Sequence, residues 1–266
     1  MGPMVAPDTV MAWRSLLSSW DAWLVVVVIA VLVPARGYVV YRRLLARPDD
    51  AIPSRVKVRI YASTIVLQWP LAAATVLVAR RHGLSLAELG QTLGNTLRTI
   101  AVSAGLLVLA GAFLIVNLRQ LRRAGAGWVA AGASRLRCLL PATPGELAVF
   151  IGVAVTAGFC EELLYRGWLV NFLAAGIGTA WGGVVVGAAV FGCAHAYQGS
   201  RGMLLAGGLG LLFGGVFVTL GSLVPCQVFH AAVDVVGGIT GAVAVSWRNT
   251  ADVREATSAP TLPASG

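Results

Sequence analysis

Runs of about 20 apolar residues alternate with short arginine-rich connections, and this alternation limits the possible folds more than any single motif does. The runs lie at about 21–41, 60–79, 99–118, 146–172, 178–197, 202–220 and 223–246. A helix needs about 20 residues to cross the hydrocarbon layer of a bilayer. The runs are continuous and rich in Leu, Ala, Val and Gly, without the strict alternation of a membrane β-barrel. Only 12% of the 266 residues are charged and 58% are hydrophobic, whereas soluble domains carry about 25% charge. The expected fold is all-α, a polytopic transmembrane bundle of about seven to eight helices.

The net charge of +9 comes from arginines between the runs. Such placement is that of positive-inside anchors, and no basic stripe with interleaved aromatics suggests nucleic acid. The expected environment is the lipid bilayer, with no nucleic-acid partner. The first connection holds Arg42, Arg43, Arg47, Arg55, Lys57 and Arg59, and the third holds Arg119, Arg122, Arg123, Arg135 and Arg137. Counting them places the odd-numbered connections in the cytoplasm and the N-terminus outside. The first run is too long for a cleaved signal and reads as a retained anchor. Residues 1–20 form a leader, 21–140 the N-terminal transmembrane helices, 141–247 a polar-bearing core, and 248–266 a tail expected to be disordered.

The core raises a sharper question. In "GFCEELLYRGW", Gly158 to Trp168, two glutamates and an arginine interrupt an apolar helix. A charge at the bilayer centre costs about 2.5–3.5 kcal/mol even on forgiving insertion scales. Glu162 and Arg166 are four apart and can pair on one helix face. Glu161 points about 100° away and has no basic residue one turn along, so its partner must come from another helix, or it must be protonated. Two of the three histidines lie in later runs: His195 in "VFGCAHAYQG" and His230 in "CQVFHAAVD". Asp234 follows His230 by one turn and can orient its ring. The third histidine, His82, falls at a connection and reads as solvated. Glycines spaced as GxxxG, Gly210 with Gly214 and Gly237 with Gly241, would let these later helices approach closely.

One glutamate with two histidines suits two chemistries. Glu161, His195 and His230 could hold zinc with a water in the fourth position. Alternatively, Glu161 and one histidine activate water directly, while the other histidine and its neighbour stabilise the oxyanion. There is no HExxH pair and no further free acid to act as base, which favours the second scheme with no cofactor. Ser200 and Ser222 lack a GxSxG context. Cys138, Cys160, Cys193 and Cys226 contain no CxxC pair and read chiefly as small hydrophobes.

These residues resemble the CPBP family, the CAAX-protease and bacteriocin-processing (Abi) intramembrane endopeptidases. Its EExxxR, FxxxH and HxxxN/D motifs stand here in order as Glu161-Glu162-xxx-Arg166, Phe191-xxx-His195 and His230-xxx-Asp234. The resemblance covers about residues 139–241. It implies a membrane protease cleaving a membrane-embedded or membrane-associated peptide or protein, with a glutamate-type or metalloprotease mechanism. On the family's scheme Glu161 and His195 activate water, His230 and residue 234 support the oxyanion, and Glu162 and Arg166 hold the site together. Many members carry Asn where Asp234 stands, so here that residue is expected to orient His230. The Ala-, Gly- and Arg-rich composition suggests a bacterial inner membrane. The main alternative is a non-proteolytic membrane module, such as a bacteriocin-immunity or scaffold protein. A proton-coupled transporter is a third reading, set back by the lack of an inverted repeat.

Overall fold

The computed structural model describes residues 7–46, 52–124 and 139–258, with the backbone alone for 7, 124 and 248–258. All regular elements among the described residues are helical. A short helix α1 (Pro7–Ser15) and a 3-10 turn lead into α2 (Trp20–Val27), a π segment (Val28–Leu32) and α3 (Val33–Leu45), which together form one span. Then come α4 (Ser54–Arg81), α5 (Thr96–Ala124) and α6 (Pro144–Glu162). A second π segment (Leu163–Val170) joins α6 to α7 (Asn171–Ile177), again one continuous span. Helices α8 (Ala180–Ala194), α9 (Gly199–Leu220) and α10 (Val224–Ser258) complete the chain.

Among the described residues six helices are long and apolar enough to cross a membrane, and the protein is an integral, multi-pass membrane protein. The fifth expected crossing, at 178–197, is different. Its helix α8 ends at Ala194, and 15 residues at a 1.5 Å rise reach only about 22 Å, short of the ~30 Å layer. His195 closes this helix, a 3-10 turn follows at Ala196–Gln198, and Gly199 turns the chain with φ of 82°. That reversal sets His195 at the inner end of a short helix, not on a through-going span. At the C-terminus, α10 continues to Ser258, so helical backbone occupies the first part of the expected tail; residues 259–266 lie outside the described residues, as does Cys138.

Small residues bring the core helices together. A side chain at Gly158 of α6 would stand 2.8 Å from Ala231 Cβ and from the Gln227 carbonyl of α10. Gly210 lies against Ala188 and Gly214 against Val184, so the first glycine pair does seat α9 on α8. The second pair differs from expectation. Gly241 faces the Leu140 side chain, but Gly237 faces open space and it is Gly238 that meets Phe150.

The start of α6 is fixed from both sides. Thr143 caps it by accepting from Glu146 N at 3.2 Å, with Pro144 at the first helical position, where its missing N–H costs nothing. Lys57, read from sequence as a loop anchor, is instead buried in α4. Its Nζ donates to Glu146 Oε2 at 3.2 Å and to the Leu140 carbonyl at 2.9 Å. Tyr61 adds a hydrogen bond to the Leu139 carbonyl. His82 also departs from its solvated reading: Nε2 lies 3.1 Å from Asp21 Oδ1 and 3.2 Å from Ser19 Oγ, tying the end of α4 to the start of the first span.

Candidate active site

The motif carboxylates sit at the junction between α6 and its π segment. Such segments are uncommon and recur at functional sites, because the wider turn leaves carbonyls and side chains out of the regular register. Glu162 and Arg166 still meet across it: Nη1 donates to Glu162 Oε1 at 2.8 Å, and both side chains are buried. The guanidinium also lies over the Phe191 and Phe213 rings, at 4.3 and 5.1 Å. Aromatic faces attract a desolvated cation, so Arg166 is compensated by a carboxylate and by two rings. Tyr165, in the same segment, donates to the Ile29 carbonyl at 3.2 Å, which belongs to the other π segment.

Glu162 Oε1 accepts a second bond, from His230 Nδ1 at 2.7 Å. A carboxylate oxygen only accepts, so Nδ1 carries the proton and Nε2 is the nitrogen left for other partners. Nε2 stands 3.7 Å from Asp234 Oδ2 and 4.0 Å from Glu161 Oε2. Both are too long for hydrogen bonds. The hydrogen bond that orients His230 therefore goes to Glu162, which the sequence expectation did not include, while Asp234 stands at ion-pair distance from the other ring nitrogen. The reason is the Gly158 crossing, which brings α10 against α6 closely enough for a 2.7 Å contact.

Glu161 finds its partner on a helix that carries none of the motifs. Gln68 of α4 donates from Nε2 to Glu161 Oε1 at 2.9 Å. The first half of the chain, outside the expected polar-bearing core, thus supplies a direct contact to the glutamate. Gln68 Oε1 is buried with no partner among the described residues, as are Glu162 Oε2 and Arg166 Nη2.

His195 makes no hydrogen bond to these carboxylates. Its Nδ1 donates to the Phe191 carbonyl at 2.8 Å, and since a carbonyl only accepts, Nε2 is left as the basic nitrogen. Phe191 packs on His195 with ring centroids 4.6 Å apart and also meets Tyr165 at 4.9 Å. His195 and Glu161 line one cavity of about 460 Å³, with Gln68, Tyr41 and Tyr197 among its other walls. Glu161, Glu162, Arg166, His230 and Asp234 thus form one cluster, and His195 joins it across the cavity.

As for zinc, no three His, Cys, Asp or Glu side chains among the described residues converge as a metal-holding group. Glu161, His195 and His230 do not make a preformed ligand set in this arrangement. Cys160 and Cys226 are buried, and Cys226 Sγ lies 3.3 Å from the Phe213 carbonyl; they fill space behind the site.

Residues 143–236 match the family model described as "Type II CAAX prenyl endopeptidase Rce1-like". That stretch is similar to the family; it is about a third of the chain. It holds all three motifs, and the match agrees with the resemblance read from Glu161 to Asp234. No curated protein and no solved structure matches the chain. The matched segment runs from α6 into the first half of α10, while α1 to α5 lie outside it. Those earlier helices nevertheless supply Gln68 and much of the cavity wall.

Proposed function

We propose that the chain is an intramembrane endopeptidase of the glutamate type, hydrolysing a peptide bond in a membrane-associated peptide or protein. The observation that carries this reading is the relation between Glu161 and His230: Oε2 and Nε2 face each other at 4.0 Å. That gap is too wide for a direct bond, and it leaves His230 Nε2 beside the carboxylate, where the carbonyl oxygen of a substrate presented to Glu161 would stand.

In the proposed reaction Glu161, its carboxylate held by Gln68, takes a proton from water as the water oxygen bonds to the substrate carbonyl carbon. His195 Nε2 accepts the second hydrogen bond of that water from across the cavity. The carbonyl oxygen gains charge and is met by His230, which can donate from Nε2 when both ring nitrogens carry protons. Asp234 stands beside that nitrogen, and Glu162 holds the other. The C–N bond then breaks, and Glu161 passes its proton to the leaving amine. Donors fixed before the charge develops are the effective ones, and Glu162 with Arg166 provides that fixity.

The family description supports a prenylated CAAX-type tail as the first substrate to try, and the composition supports a bacterial inner membrane. To test the reading, His195→Ala and His230→Ala proteins would be compared with wild type on a co-expressed membrane substrate. Each is expected to lose at least about 100-fold in cleavage, the usual span of a general acid–base group. Cleavage at the wild-type rate in both well-folded variants would rule the reading out.

A further inference from the structure

His195 is held less firmly than His230. A buried carboxylate, Glu162, fixes Nδ1 of His230, whereas Nδ1 of His195 donates to the Phe191 carbonyl one turn back in its own helix. His195 also stands where α8 gives way to the turn Ala196–Gln198, and Gly199 then reverses the chain. A carbonyl selects the Nδ1–H tautomer, but one hydrogen bond does not stop a ring from tipping about it. What lies against this ring is aromatic. Phe191 meets it with centroids 4.6 Å apart, and Tyr197 stacks on it at 6.0 Å with 29° between the planes. Tyr41 of α3 meets Tyr197 in turn at 5.7 Å, and the Tyr197 hydroxyl accepts from Gln198 Nε2 at 3.1 Å. Tyr41 is buried and belongs to the first span, outside the matched residues 143–236.

We infer that Tyr41 and Tyr197 are positioning residues, whose packed rings hold the His195 imidazole in the orientation that turns Nε2 toward the attacking water; this rests on the endopeptidase reading above. Aromatic pairs prefer centroid separations of about 4.5–7 Å, and the three contacts from Tyr41 through Tyr197 and His195 to Phe191 all fall in that range. A catalytic group has to be kept within about 10–20° of its working direction by side chains that are themselves locked. Tyr197 is locked by a ring and by a hydrogen bond, and it shares the cavity wall with Glu161 and His195. Tyr41 acts one step further away, through Tyr197. A span that carries none of the motifs thereby sets the direction of a motif histidine, as Gln68 of α4 does for the Glu161 carboxylate.

The test compares Tyr41→Leu and Tyr197→Leu, which remove the rings, with Tyr41→Phe and Tyr197→Phe, which keep them. Purified protein in detergent is assayed on one farnesylated CAAX peptide. Each Leu variant is expected to lose about 10- to 100-fold in kcat, the scale of a misaligned catalytic group, with KM within about twofold. Each Phe variant should stay within about threefold of wild type. A second measurement needs no cleavage. The chain has three histidines, so nitrogen NMR of histidine-labelled protein shows three rings, and the one missing from His195→Ala protein belongs to His195. Wild type and the Phe variants should show that ring as the Nδ1–H tautomer alone, and the Leu variants should show both tautomers or a broadened line. This pattern supports the positioning role even where wild type cleaves no peptide, which would count against the endopeptidase reading alone. The unfolding midpoint shows which variants are folded, and Tyr41→Leu, one ring removed from the imidazole, serves where Tyr197→Leu does not fold. Unchanged His195 signals or a wild-type kcat in a folded Leu variant overturns the inference, as does a wild-type ring already divided between tautomers. An equal loss in the Phe variants also overturns it and assigns the effect to the hydroxyls.

Discussion

His230 Nδ1 and Glu162 Oε1 are 2.7 Å apart, joining the last helix to the first motif. The same oxygen receives Arg166 at 2.8 Å. Glu162 is fully buried, so this oxygen carries two donors in a place water does not reach. Removing one member of a buried, hydrogen-bonded charge pair costs about 3–5 kcal/mol, because the other charge is stranded. Glu162→Ala should therefore lower the thermal unfolding midpoint in detergent and abolish cleavage together. A Glu162→Ala protein with wild-type stability would show that Arg166 has another counter-charge.

Gln68 should behave differently. Its side chain is only partly buried, and its Nε2 acts on Glu161 alone. Gln68→Leu is expected to reduce kcat by about 10- to 100-fold, one charge-assisted hydrogen bond's worth of about 1.5–3 kcal/mol, with KM changed less than threefold. Steady-state kinetics on a single peptide check this. A rise in KM with kcat unchanged would move Gln68 from the reacting water to substrate binding.

The α6–α10 crossing gives a paired prediction. Gly158→Ala places a methyl 2.8 Å from Ala231 and Gln227, an overpacking that costs about 1–3 kcal/mol. It should also spread Glu162 from His230 and cut activity more than stability. Gly237→Ala, facing open space, should leave both unchanged. Thermal unfolding and cleavage of the two proteins side by side make the comparison.

At the opposite end of α4 the connection 82–95 has its own acid-sensitive tie. Glu88 accepts from Ser85 N and from Thr9 Oγ1, each at 2.6 Å. These bonds, Ser85 first, hold its carboxyl below the ordinary value despite partial burial. A lowered folded pKa means the contribution is complete above the ordinary carboxylate value and fades as pH falls through the lower folded one. Protease nicking of this connection should accordingly rise below about pH 4. Glu88→Gln should remove that dependence.

The spans were legible because length and continuous apolarity alone define a membrane helix. The Glu162–Arg166 pair was legible because four-residue spacing places side chains on one face whatever the rest of the fold does. Gln68 was not: one amide in "TIVLQWP" carries no spacing signal, and only the packing of α4 on α6 brings it to Glu161. Glu162 as the hydrogen-bond partner of His230 was hidden for the same reason. Local spacing favoured the residue one turn away, and the glycine crossing delivered a closer one from another helix. Gly237 shows the converse, since GxxxG spacing identifies small residues without telling which face meets a neighbour.

A metal would leave a different signature from a carboxylate acting alone. Cleavage by purified protein should stay within twofold after exhaustive treatment with a strong chelator. A loss restored by added zinc would assign Glu161, His195 and His230 as ligands.

In the proposed reaction the Glu161 carboxylate removes the proton from the attacking water. Single-turnover cleavage by purified Glu161→Gln protein, with its unfolding midpoint measured on the same sample, tests it most directly. The amide keeps the size of the side chain and can still bond Gln68, so the midpoint should stay within a few degrees while the rate falls at least about 100-fold. A folded Glu161→Gln protein cleaving at a rate near wild type would contradict the account.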